Sequence, residues 1–173
     1  MKRKPKFRVF RAKDAAELNE IMTMGETAER DLAAMARVGE AGAGDGAVAK
    51  VLFEDEAAGM SLSYLWLKAN FLLPRHSHNA DCLYYVVSGE AHLGTEVLRT
   101  GDGFFVPAEG LYAYQAGPDG IEVLEFRTAA RCDTKLRTAP AHWARMADLA
   151  AANREAWRAQ AVPIAVQRQL GAE

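Results

Sequence analysis

Between residues 47 and 127 the chain is a succession of short runs rich in Val, Leu, Phe and Tyr: 47–54, 60–73, 82–88, 91–93, 103–106, 111–116 and 121–127. Turn-forming residues separate most of them, at Ser88-Gly89, Gly94-Thr95, Gly101-Asp102, Pro107 to Gly110 and the Gly-Pro-Asp-Gly of 117–120. Runs this short suit β-strands, and parallel pairing would need helical crossovers that the stretch lacks. An antiparallel sandwich or barrel is the expectation.

The flanks read differently. Residues 6–9 alternate polar and apolar, with Phe7 and Val9 on one face, which predicts a short strand. Asp14 and Glu17 have capping-box spacing ahead of Leu18, Ile21 and Met22, and 26–38 predicts a second helix with Leu32, Met35 and Val38 on its buried stripe. Four glycines in 39–46 predict a flexible loop. Residues 138–173 turn helical again, opened by Thr138 and Pro140. Trp143, Met146, Leu149, Asn153 and Trp157 share one face there, so this helix is predicted to pack outside the sheet or on a partner subunit. The division is therefore 1–46, with a strand, helices and a Gly-rich loop; 47–130, the β-barrel; and 131–173, a helical extension.

Charge removes several classes of function. Lys and Arg number 21 against 23 Asp and Glu, a net charge of −2 over 173 residues. That balance predicts no nucleic-acid binding. The basic start at Lys2, Arg3, Lys4 and Lys6 reads as a solvated tail. No apolar run approaches the ~20 residues of a membrane helix, and no secretory leader is visible. Two cysteines, Cys82 and Cys132, suggest no disulfide framework, so a reducing, cytoplasmic compartment is expected.

His76-Ser77-His78 is the chief candidate for chemistry. Pro74 disfavours helix at Leu73, and on a strand residues two apart point the same way. Both imidazoles can then face one metal ion, although the spacing also suits two surface histidines. His92 and His142 have no companions at ligand spacing. No phosphate-binding loop, dinucleotide fingerprint, nucleophile elbow or HExxH helix is present.

With Gly89, Gly101 and Pro107, the histidine pair resembles the two motifs of the cupin superfamily. In the first motif His76, His78 and Gly89 match, with Cys82 standing where a glutamate belongs and Asn70 where the leading glycine belongs. In the second, Gly101 and Pro107 match; the next glycine is displaced to Gly110 and the expected histidine falls on Tyr112. The resemblance covers about a third of the chain. It implies an all-β fold, a cupin-type jelly-roll β-barrel with N-terminal and C-terminal helical additions, and by analogy a homodimer.

Such a site implies His76, His78 and Cys82 as ligands of a divalent metal. A thiolate ligand favours Zn or Fe, leaves Ni, Cu and Mn open, and calls for no organic cofactor. Tyr112, a phenol, would orient or protonate a ligand as the catalytic group. Asp81 would replace Cys82 only if a bulge reversed the alternation. Trp66, Tyr84, Val86, Phe105 and Tyr114 are expected to line the pocket. Three readings stay open: a metal-dependent oxygenase or isomerase acting on a small metabolite, a metal-free small-molecule-binding protein, and a structural or regulatory protein interacting through its helices.

Overall fold

The computed structural model describes residues 4–169. Lys2 and Arg3 of the basic start, and residues 170–173 of the expected C-terminal helix, lie outside the described residues.

In chain order the elements are β1 (Ala16–Glu17), α1 (Leu18–Ile21), β2 (Thr23–Met24), α2 (Glu29–Glu40), β3 (Ala47–Asp55), β4 (Met60–Leu67), β5 (His76–Ser77), β6 (Cys82–Leu93), β7 (Glu96–Arg99), β8 (Gly103–Val106), β9 (Gln115–Arg127), β10 (Asp133–Leu136), α3 (Pro140–Ala159) and α4 (Ile164–Gln169). Seven strands form one sheet in the order β1-β3-β4-β9-β6-β7, with β8 also on β6, and every pairing is antiparallel. A second sheet has the order β2-β10-β5. The expected antiparallel architecture is present, as a sheet-rich fold that fits a jelly roll. One expectation is corrected: among the described residues β1 and β7, the ends of the ladder, do not pair, so no closed barrel is formed. The four α-helices of the described residues flank the long strands on both sides, where helical additions were expected, so the chain is not purely all-β.

Strand lengths differ from the turn chemistry for a nonlocal reason. Ser88-Gly89 and the 117–120 tetrapeptide do not turn the chain; they lie within the long strands β6 and β9, whose register shifts between Val86 and Ser88 and between Gly89 and Ala91. Gly89 and Gly120 both have positive φ (76° and 88°), and a Cβ on Gly89 would run into the Gly120 carbonyl. The glycines thus form facing bulges that bend two paired strands, where isolated segments would have turned. Residues 111–116, expected as a strand, contribute single bridges from Tyr112 and the start of β9.

The inner face of the sheet carries Leu65, Leu67, Cys82, Tyr84, Val86, Ala91, Ile121 and Val123, joined by Tyr112 and Tyr114, and α3 covers its end with Ala150 and Trp157. Trp157 packs against Phe71, the rings tilted with centroids 5.5 Å apart, and donates its indole N–H to the Ala69 carbonyl at 2.8 Å. Both tryptophans of the expected α3 stripe are buried, since rings of that size add a large apolar area to the core.

The N-terminal stretch departs most from the sequence reading. Residues 6–9 pair with no strand, and Phe7 is 95% exposed; Arg8 instead ties the segment to Asp55 at 2.6 Å. The capping-box helix is only one turn long, with Glu17 bonded to Lys50, yet Leu18 and Ile21 do pack on Val51. On α2 the buried stripe is Asp31, Ala34 and Val38, and Leu32 and Met35 face outward. The Gly-rich segment is pinned, because Asp45 binds Arg154 at 2.9 Å and Arg158 at 3.1 Å.

Candidate functional site

His76 occupies the short strand β5, opposite Leu136 of β10. On its other side it exchanges two 3.0 Å backbone hydrogen bonds with Tyr112. This pairing explains why residues remote in sequence share a site: the backbone ladder sets the Tyr112 side chain beside the His76 side chain. His76 and His78 are both buried, their rings 5.0 Å apart.

Each histidine is fixed in one tautomer. Nδ1 of His76 lies 2.7 Å from the Pro74 carbonyl, and Nδ1 of His78 lies 2.6 Å from the Asp133 carbonyl. A carbonyl only accepts, so in the neutral rings Nδ1 carries the hydrogen and Nε2 the lone pair. Neutral is the form burial enforces. Burial, then the neighbouring His78, pushes His76 down to about 4, and burial also lowers His78. Both lone pairs point inward. That of His76 meets the Tyr112 hydroxyl at 2.8 Å; that of His78 lies 3.3 Å from the same hydroxyl and 3.9 Å from Glu125 Oε1.

Glu125, on β9, is the centre of this buried cluster and is 1% exposed. Arg127 donates Nε–H to its Oε1 at 2.8 Å and Nη2–H to its Oε2 at 2.6 Å. Tyr84 donates to Oε1 at 2.6 Å, so its oxygen can only accept from Tyr112, whose single hydrogen is contested between Tyr84 and Nε2 of His76. Burial alone would raise the carboxyl's pKa, but the Arg127 charge, His78 and the hydrogen bonds from Arg127 and Tyr84 together outweigh it and hold Glu125 below its ordinary value. The same negative charge, added to burial, raises Tyr84 and Tyr112, so both remain protonated donors.

Cys82 opens β6 on the inner face, as strict alternation requires; Asp81 turns away and accepts the Ala108 N–H at 2.8 Å. Ligand atoms of His78, Cys82 and Glu125 all lie within 4.8 Å of one another. The donor types fit a metal: an imidazole lone pair oriented by a second carbonyl, a charged carboxylate and a thiol. The thiol is not a thiolate at rest, since burial, then Glu125, pushes it up to about 12; binding must release its proton. His76 falls outside this group of three, and its lone pair faces the Tyr112 hydroxyl.

The expected pocket residues divide between the two faces of the sheet. Tyr84, Val86 and Tyr114 are in the interior core, with Phe104 stacked 4.3 Å from Tyr84. Phe105 is not among them: β8 pairs Phe104 with Tyr84, so alternation turns Phe105 outward, 60% exposed. Trp66 also sits on the opposite face, where it packs with Tyr64 and Val166 of α4. Glu125 and Arg127 were not foreseen. Their signal was the inward row Ile121, Val123, Glu125, Arg127, two apolar residues followed by an acid and a base on the face that should be dry.

Sheet order, paired inward histidines and a buried polar centre define an antiparallel β protein with an enclosed polar site. The chain is similar to an RmlC-like cupin from Shewanella frigidimarina NCIMB 400, at 25% identity and TM-score 0.45 over 50% of this chain and 79% of that one. It is also similar to the polyketide cyclase RemF from Streptomyces resistomycificus (18% identity, TM-score 0.49, 57% and 76% covered). A third likeness is to a cupin-fold protein of unknown function from Ralstonia eutropha JMP134 (16%, 0.47, 64% and 75%). No protein-family model and no curated protein matches the chain. Among the described residues no helix is long and apolar enough to cross a membrane.

Proposed function

We propose that this chain binds one divalent transition metal through His78, Cys82 and Glu125 and acts on a small metabolite beside it, as an oxygenase or isomerase. The observation that supports this most is the Nε2 lone pair of His78, aimed by a backbone carbonyl at a space that Cys82 and Glu125 share. Zn or Fe suits the mixed nitrogen, sulfur and oxygen donors best. When bound, such an ion supplies Lewis acidity.

The protein's own groups then do the rest. Tyr112, kept protonated, donates its one hydrogen to Nε2 of His76 at rest and would hand that hydrogen bond to a ligand oxygen on binding. His76 joins the ligand set if Tyr112 turns away. Tyr84 and Arg127 hold the Glu125 carboxylate in place. A cytoplasmic setting belongs to this reading, with both cysteines free. So does a homodimer, for which Leu83, Phe105 and Phe126 are suited: they are paired across β6, β8 and β9 and exposed on the outer face.

A second reading has its own observation. Glu125 already has a full counter-charge in Arg127, so the cluster is satisfied without metal and the chain would be a metal-free binding protein. Metal analysis of protein purified without a histidine tag separates the two. The first reading expects close to one equivalent, lost in His78→Ala and reduced in Cys82→Ser. Metal far below one equivalent in the unaltered protein, after growth in metal-replete medium, rejects it.

A further inference from the structure

Helices α2 and α3 pack with a gap between them. On α2 the facing stripe is Arg30, Ala34, Arg37 and Val38; on α3 it centres on Trp143, Ala144 and Ala147. Ala34 and Ala147 are small where larger aliphatic side chains would interlock, and with the exposed Ala144 they line a cavity of about 280 Å³. That is just below the ~300–1,000 Å³ of pockets for drug-sized ligands and suits a smaller molecule.

The charges on this cavity are unequal. Arg30 and Arg37, seven residues apart on one helix, stand at its rim and are exposed. The single acid in the lining, Asp31, is 2% exposed; its Oδ1 accepts the Trp143 indole N–H at 2.7 Å, and it sits in the first turn of α2, where backbone N–H groups favour a carboxylate. Arg30 Nε lies 3.9 Å from Asp31 Oδ2, so an entering molecule meets the guanidinium of Arg37 and a part-compensated one of Arg30 beside an apolar lining that includes Val38 and Trp143. With Asp31 included, the lining carries one net positive charge.

We propose that this cavity binds a small monocarboxylate with an apolar body, its carboxylate taken by Arg37 and Arg30 and its body laid against Ala34, Val38, Trp143 and Ala147. Arginine matches a carboxylate with paired, charge-assisted hydrogen bonds, and the net charge of the lining is matched by one anion. This site shares no residue with the histidine cluster and does not depend on the reading given for it.

Calorimetric titration of the whole chain with octanoate tests it, with octan-1-ol as the uncharged match. The expected result is saturable one-to-one binding of octanoate, at least about tenfold tighter than octanol. Arg30→Gln/Arg37→Gln should weaken octanoate by about tenfold or more while leaving octanol unchanged. Ala147→Trp, which fills the gap from the α3 side, should abolish both; its thermal melt shows whether it folds. Equal binding of octanoate and octanol overturns the proposal. So does undiminished octanoate binding by the double arginine variant, or no binding by the unaltered chain at millimolar octanoate. Should Ala147→Trp fail to fold, the double arginine variant decides the matter alone.

Discussion

Arg127→Met is the perturbation that most directly probes the buried centre. The variant keeps the length and much of the volume of the side chain but removes the guanidinium that binds both oxygens of Glu125, at 2.8 and 2.6 Å. Both partners are almost fully excluded from water. Glu125 would then keep one donor, Tyr84, and lose its counter-charge. Breaking a buried pair on one side costs about 3–5 kcal/mol, because the surviving charge cannot be resolvated. Glu125→Gln alone leaves Arg127 in the same position and should cost a similar amount. The double variant Glu125→Gln/Arg127→Met removes both charges and should recover most of the loss, giving a coupling of about 2 kcal/mol or more in the cycle. Urea unfolding monitored by circular dichroism measures all four proteins, and a common m-value would show that midpoints report stability. If Arg127→Met lowers stability by less than about 1 kcal/mol, or the double variant is as unstable as the sum of the singles, Glu125 is not a buried, charge-compensated group and the account of the site is wrong.

Two further predictions concern single groups. His76, lowered to about 4 from an ordinary 6.5, binds fewer protons folded than unfolded between those values; stability rises with pH across that window and is lost as pH falls toward 4, by about 3 kcal/mol from this group. Glu125, also lowered, adds loss in the same direction under acid. Urea midpoints from pH 7 to 4 should fall steeply and His76→Gln should flatten the upper part of the slope; a flat wild-type profile would contradict a buried neutral imidazole. Tyr114 is fully buried and its hydroxyl has no hydrogen-bond partner. Tyr114→Phe should therefore stabilise the chain by about 1 kcal/mol, read as a higher Tm, since an unmet buried polar group costs ~1–3 kcal/mol; a lower Tm would mean that the hydroxyl is satisfied.

What the sequence disclosed, and what it withheld, follows the range of the forces involved. The histidine pair was legible because its cause is local: Pro74 excludes helix just upstream and a period of two does the rest. The inward turn of Cys82 rested on the same alternation. Phe105 and Trp66 were misplaced because alternation gives only relative facing. Two adjacent phenylalanines leave the choice of face to register, and β8 takes its register from Tyr84, twenty residues away. Trp66 is as buried as an inward residue because α4 covers that face, a tertiary fact with no trace in the strand itself. The turn signals at Ser88-Gly89 and 117–120 were real local preferences, converted into bulges once β6 and β9 paired.

Glu125 was hidden by the same nonlocality. Cys82 stands at the motif's carboxylate position, and nothing in its own strand shows where the carboxylate has gone. The ladder places Cys82 opposite Arg127, and Tyr84 opposite Glu125, on the neighbouring strand. Residues Tyr84 and Glu125 in such a pair share a face, which is why the phenol reaches the carboxylate at 2.6 Å. The negative charge is therefore supplied from one strand across, two residues along from the thiol's own partner. That displacement also explains Arg127. A carboxylate at the mouth of a strand can stay hydrated, but one set at an inward position between Tyr84 and His78 is buried whether or not a metal is bound, and a fixed cation beside it is what lets the chain fold around it.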